Sequence, residues 1–272
     1  MSCLDDNRVV KTFAELRAAD RKTLAPFITA GYPDVDTTEA LLKEFEARGV
    51  LVCELGIPFS DPIADGPVIQ GSYTDALAGG MSSEKIFELV RRYRSGSGEM
   101  ALVAMVSYSI VFRHGTEAYL RAAADAGFDG LIIPDLPLEE AADVGPLAAA
   151  CGLANVMLIA PTTPPDRRTE IARHCRGFIY YISVAGITGE RKRLPEETIA
   201  AVAELRRHTD TPICIGFGIS NAATVAHVCE VADGAIVGSA IVHRIADAKD
   251  RTPKQIAKLI GDLVAELLSP IS

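Results

Sequence analysis

The chain has 272 residues, of which 49% are hydrophobic and 23% charged, and its formal net charge is −9. That is enough apolar material for a full α/β core, and the acidic balance argues against a nucleic-acid partner or an anionic membrane surface, both of which need clustered Lys and Arg. No apolar run approaches the roughly 18 residues of a spanning helix, and "MSCLDDNRVVKTF" has no apolar signal segment, so the expected compartment is the cytoplasm. Six cysteines (Cys3, Cys53, Cys151, Cys175, Cys214 and Cys229) are scattered without a C-x-x-C pair and read as reduced and structural.

In chain order, "KTFAELRAAD" (11–20) reads as a helix that precedes the first strand. Eight short β-rich apolar runs follow, spaced as parallel strands with helical returns must be. They are "LAPFITAG" from Leu24, "LVCELGIPF" from Leu51, "ALVAMVSY" from Ala101, "GLIIPDL" from Gly130, "NVMLIAP" from Asn155, "FIYYISVAG" from Phe178, "PICIGFGI" from Pro212 and "GAIVGSAIV" from Gly234. Their hydrophobicity is continuous rather than alternating, as in strands covered on both faces. Between them lie helical patterns such as "DVDTTEALLKEFEARG", with Asp36 or Thr37 as N-cap and Gly49 as stop, and Thr116 to Gly127. "TPKQIAKLIGDLVAELL" reads as the last helix. No G-x-G-x-x-G follows the first strand and no low-complexity linker divides the chain. The expectation is an α/β fold: one closed (β/α)8 TIM barrel over 1–272 with an extra N-terminal helix.

In such barrels chemistry sits at the C-terminal strand ends. Glu54 lies inside the second strand, and an unpaired carboxylate is seldom fully buried, so a site role is favoured over a water-linked polar filler. Asp65, before Gly66 and Pro67, suits a turn and a site equally, whereas Asp61 before Pro62 reads as a turn residue. Gly189, Gly218, Gly238 and Ser239 gather at three successive strand ends. Backbone amides there, with a helix start, suit a phosphate dianion without a lysine. The five histidines lack metal-ligand spacing, and no metal is expected. Asp135 could touch a ligand or cap the helix after it. Tyr180 and Tyr108 could turn hydroxyls to the barrel mouth or simply pack.

"ELGIPFSDPIADGPVIQ", "GLIIPDLPLEE", "YYISVAGITG", "GFGIS" and "GSAIV" stand in the order and at the spacing of the tryptophan synthase alpha chain family, which the whole chain resembles. The resemblance implies a lyase that splits indole-3-glycerol phosphate into indole and glyceraldehyde 3-phosphate. Glu54 would shuttle protons, and Asp65 would hydrogen-bond the indole N–H and stabilise the cation developing on the ring. It also implies phosphate binding at Gly189, Gly218, Gly238 and Ser239, and a substrate pocket lined by Phe27, Tyr108, Tyr180 and Phe217. The segment "TGERKRLPEE" would be a lid that brings Thr188 toward Asp65. A beta chain carrying pyridoxal phosphate would be the partner, in an α2β2 assembly, with no cofactor in this chain. One departure is "VSYSIVFRHG", where Ser109 and Ile110 follow Tyr108 and relatives carry Tyr-Asn-Pro; it bears on partner contact. The alternatives are a stand-alone lyase releasing free indole, a sugar-phosphate isomerase or epimerase barrel, and a non-catalytic activator of a beta chain.

Overall fold

A computed structural model describes residues 4–62, 65–183, 194–216 and 218–271. The apolar runs form eight strands: β1 (Thr23–Thr29), β2 (Val52–Gly56), β3 (Ala101–Met105), β4 (Gly130–Ile132), β5 (Ala154–Ile159), β6 (Ile179–Ile182), β7 (Ile213–Gly216) and β8 (Gly234–Val237). Each pairs in parallel with its sequence neighbours, and β8 pairs with β1, closing the barrel. A parallel strand needs a crossover, and the helices supplying it are α2 (Val35–Ala47), α3 (Pro67–Ala78) with α4 (Ser83–Ser95), α5 (Tyr108–His114) with α6 (Thr116–Ala126), α7 (Leu138–Ala150), α8 (Pro165–His174), α9 (Glu196–Leu205) and α10 (Ala222–Cys229). The expected leading helix is α1 (Arg8–Ala18), and α11 (Ser239–Ala246) and α12 (Pro253–Leu268) complete the outer ring. Strand residues are buried almost throughout because side chains on one face fill the barrel while those on the other meet helices.

Three expected boundaries move. The run from Gly234 ends as a strand at Val237, and its "SAIV" opens α11, whose Ile241, Val242 and Ile245 stay buried against the barrel. The run from Ala101 likewise stops at Met105, and Tyr108 begins α5. Both helices turn back onto the strand ends, so hydrophobicity continues across a change of backbone geometry. The N-cap of α2 is Asp34, not Asp36 or Thr37; its carboxylate accepts hydrogen bonds from the backbone N–H of Thr37 at 2.7 Å and the Thr37 hydroxyl at 2.9 Å. A side chain can cap only the N–H groups two or three residues ahead, which Asp34 reaches.

The foot of the barrel is held by one device used twice, half a barrel apart. Asp129 precedes β4 and Asp233 precedes β8. Each carboxylate accepts the first free N–H of the preceding strand, from Leu102 and Ile213 respectively, both at 2.8 Å. Each backbone carbonyl accepts from the following strand, from Ala154 at 2.9 Å and Thr23 at 3.2 Å. An arginine closing the helix before the odd-numbered strand completes the clamp. Arg94 bonds Asp129 at 2.6 Å and the Gly127 carbonyl at 2.9 Å; Arg206 bonds Asp233 at 2.8 Å and the Val231 carbonyl at 3.2 Å. Helix α1 covers the first clamp, where Asn7 donates to the carbonyls of Asp129 and Gly152 and Phe13 packs on Phe178 with ring centroids 5.3 Å apart.

The two clamps differ in burial. Burial pushes the Asp129 carboxyl up and the Arg94 guanidinium down from their usual values in spite of the pairing, whereas the Arg206 pair stands nearer solvent. Breaking a buried pair costs about 3–5 kcal/mol, against roughly 1 kcal/mol or less for an exposed one, and although Arg8 still reaches Asp129 at 3.1 Å, loss of Arg94 also leaves the Gly98 and Met100 carbonyls without their donor. Arg94→Met is therefore expected to lower unfolding stability several-fold more than Arg206→Met. Urea unfolding of the two variants checks this; equal losses would show that the clamps are not distinguished by burial.

Candidate active site

Strand β2 carries Glu54 at a position where both neighbours in the sheet are apolar, Phe27 of β1 and Val103 of β3. The side chain is 0% exposed, and neither carboxyl oxygen has a hydrogen-bond partner among the described residues. Burial therefore pushes its pKa well above the ordinary carboxyl range. Side chains alternate along a strand, so Gly56 faces the same way as Glu54, one step nearer the C-terminal mouth. The missing side chain at Gly56 is occupied by others: a Cβ there would lie 2.5 Å from Cζ of Phe27 and 2.8 Å from the hydroxyl of Tyr73. Gly216 at the end of β7 does the same for Tyr180, whose hydroxyl would meet an added Cβ at 2.5 Å.

Asp65 enters from the loop after β2, immediately before the N-cap Gly66 and the first-turn Pro67 of α3. Its N–H bonds the Pro62 carbonyl, and the Gln70 amide bonds the carbonyls of both Pro62 and Asp65, so a staple from α3 holds the turn. Asp65 is half-buried, and burial pushes its carboxyl up to about 6. The positive end of α3 favours its charged form. Glu54 and Asp65 both lie close enough to the Tyr73 and Tyr180 hydroxyls to oppose their ionisation. The Tyr73 and Tyr180 hydroxyls are held well above their usual value first by burial and then by these two carboxyls.

The third corner is the β8–α11 junction. Gly238 is the N-cap of α11 and Ser239 its first residue, and no side chain caps this helix start. A Cβ at Gly238 would touch Phe27 at 3.4 Å, so the Phe27 side chain runs from this helix start to the Gly56 end of β2. Gly218 follows β7 exposed, at φ +77°, a backbone conformation that L side chains rarely adopt. Thr188, Gly189, Phe217 and the lid segment up to Arg193 lie outside the described residues.

Other sequence candidates go elsewhere. Tyr108 sits in α5 with its hydroxyl 3.3 Å from Glu140 of α7, and its ring 6.0 Å from that of Phe112. Asp135 neither caps α7, whose N-cap is Pro137, nor stands free for a ligand. It accepts from the Ser107 hydroxyl and the Tyr108 N–H, both at 2.7 Å, and so anchors the start of α5. Asp61 is exposed, and no metal-holding cluster of His, Cys, Asp and Glu occurs among the described residues. A crevice of about 160 Å³ between α7 and α8 contains neither carboxyl nor the α11 start, so it is not where these groups act. Tyr73 is the residue that sequence reasoning missed. Its place on a buried helix stripe with Ile69, Ser72 and Ala76 looks like ordinary packing, and the signal that could have found it is the glycine two residues after Glu54.

The chain matches the family model described as tryptophan synthase alpha chain over residues 13–267. It is 47% identical to a tryptophan synthase alpha chain of Rhodopirellula baltica, over 88% of this chain and 87% of that one. It is 42% identical to that of Opitutus terrae, over 95% and 98%. Its fold superposes on the crystal structure of tryptophan synthase subunit alpha from Legionella pneumophila with a TM-score of 0.88, at 35% identity over 97% of this chain and 98% of that one.

The partnerless carboxyl has a consequence for stability. A carboxyl whose folded pKa lies above its unfolded value takes up a proton on folding, so its cost is absent below the unfolded value of about 4.3 and grows as pH rises above it. Replacing Glu54 by Gln removes that titration. The melting temperature of Glu54→Gln minus that of wild type is expected to increase from pH 4 to pH 8, as read by thermal unfolding at several pH values. A difference independent of pH would show that the Glu54 carboxyl is not destabilised by burial.

Proposed function

Because this chain belongs to the tryptophan synthase alpha chain family, the lyase that splits indole-3-glycerol phosphate in tryptophan biosynthesis, we propose that Glu54 and Asp65 carry that cleavage within one barrel domain. The observation that supports this most is the sealed Glu54 carboxyl without a partner. A retro-aldol cleavage must add a proton to the ring carbon that leaves and remove one from the glycerol hydroxyl that becomes a carbonyl. A carboxyl with a raised pKa can give the first and take the second. Asp65, pushed only to about 6, is the acid more readily ionised, and as an anion it accepts the indole N–H and opposes the positive charge that builds on the ring. Two carboxyls in unlike environments thus divide the work.

The phosphate is held by the amides at the α11 start, Gly238 and Ser239, with Gly218 as a further contributor, and Gly189, outside the described residues, is assigned to it by the family pattern alone. Phe27 and Tyr180 line the space between phosphate and ring; Phe217 and the segment with Thr188, outside the described residues, are assigned to line and cover it by the family pattern alone. The chain's own groups suffice for this chemistry, so no cofactor is needed here; pyridoxal phosphate belongs to the beta chain, which docks in an α2β2 assembly. Phe112 of α5, a large apolar side chain 71% exposed, lies in the stretch that departs from the family and is offered to that partner. Among the described residues no helix is long and apolar enough to cross a membrane, and we place the enzyme in the cytoplasm.

Purified protein mixed with indole-3-glycerol phosphate, with and without a beta chain, is expected to release indole in both cases; its absence in both would refute the reading. Glu54→Gln should lower the rate by about 10²- to 10⁴-fold while leaving binding intact, since the amide keeps the shape but transfers no proton. Asp65→Asn should be severely impaired too. Wild-type kcat/KM should fall as pH drops through about 6, as Asp65 takes a proton and loses its charge. A Glu54→Gln rate within a few-fold of wild type would remove that residue from the mechanism.

Gly238→Leu should fill the space beside the α11 amides, and since a Cβ there already meets Phe27, it raises KM or abolishes saturation, whereas Gly238→Ala is accommodated. Unchanged affinity of Gly238→Leu for glyceraldehyde 3-phosphate would refute the phosphate assignment.

A further inference from the structure

Helix α3 delivers one more group into the site. Tyr73 lies two turns beyond Asp65 and is 3% exposed. Its hydroxyl occupies the space above Gly56, 2.8 Å from where a Cβ would be, beside the Cζ of Phe27. It does not bond Glu54, whose oxygens are both without a partner. The hydroxyl therefore fills the side-chain position one strand step from Glu54 on the same face of β2, where successive Cβ positions are roughly 7 Å apart.

We infer that the Tyr73 hydroxyl is a substrate-contacting group, donating a hydrogen bond to the glycerol oxygen from which Glu54 withdraws the proton. This rests on the reaction proposed above. The acceptor follows from chemistry: the indole nucleus carries an N–H donor and no oxygen, and the phosphate is assigned to the α11 amides, so a neutral hydroxyl placed to donate on the Glu54 face serves the glycerol portion. As Glu54 removes the proton, negative charge develops on that oxygen, and a fixed donor in a water-poor site stabilises it more than it stabilises the ground-state hydroxyl. Burial first, and then Asp65 and Glu54, oppose ionisation of the phenol and keep it protonated. Gly56 is then required, because any side chain there would displace the hydroxyl and Phe27 together.

The test measures indole release from indole-3-glycerol phosphate by wild type, Tyr73→Phe and Gly56→Ala, with melting temperatures. Tyr73→Phe keeps the ring and removes one oxygen. Its kcat is expected to fall by about 10- to 100-fold with KM within about threefold and an unchanged melting temperature, because the bond strengthens only in the transition state. Gly56→Ala should show a comparable loss of kcat with Tyr73 still present. A Tyr73→Phe kcat within twofold of wild type would overturn the inference, and so would a rise in KM at unchanged kcat, which would make the hydroxyl a ground-state contact. A wild-type protein releasing no indole would instead sink the underlying reaction, and this inference with it.

Discussion

An acid whose two oxygens meet no donor is costly anywhere, and this barrel places one at its centre. Removing an ionised carboxyl from water costs several kcal/mol even after relaxation, so Glu54 folds in a neutral form or at a penalty, and the rest of the fold must outweigh it. The surroundings make that burden specific. Phe27 and Val103 flank it across the sheet with nothing polar to offer. Tyr73 and Tyr180 come near but do not bond it, each seated over a glycine that leaves space for its hydroxyl. On the proposed function, a bound substrate would relieve that cost by presenting the proton donor and acceptor that the protein withholds, which is the sense in which such a site favours a transition state over an empty pocket.

The barrel can carry this because its stability is anchored at the opposite end. The two Asp–Arg clamps tie strands β3 to β5 and β7 through β8 to β1 at the foot, with every donor and acceptor of the aspartates engaged in backbone pairing or an ion pair. The mouth is left to glycines, short helix starts and rings. The paired aspartates lie at the foot of the strands, and the unpaired Glu54 lies further along β2, a division between stability and chemistry that barrel architecture permits.

Much of this was legible in the residues. Eight doubly covered apolar runs specify eight parallel strands, and Glu54 stood out because a lone acid within such a run has no cheap explanation. Where the reading overran, at the "VSY" that ends the third run and at "GSAIV", the reason is that α5 and α11 begin there and keep apolar side chains buried, so the apolar pattern continues although the backbone turns helical. Tyr73 was invisible because a tyrosine in a buried helical stripe has the same pattern whether its ring meets core or its hydroxyl meets a substrate. Asp135 misled for a related reason: local spacing suits a cap for the next helix, and only the closed barrel brings it to the start of α5, 27 residues earlier in the chain. Long-range neighbours decide such cases, and a sequence shows neighbours only along itself.

The central claim is that the Glu54 carboxyl is held neutral by burial in the free enzyme. Infrared difference spectroscopy between wild type and Glu54→Gln tests it directly, since a protonated carboxyl and a carboxylate absorb in separate bands. At about pH 6, well above the ordinary glutamate range, the account predicts a protonated carbonyl band present in wild type and missing from the variant. A difference spectrum showing only loss of carboxylate bands at that pH would contradict it, because Glu54 would then be ionised in spite of having no partner.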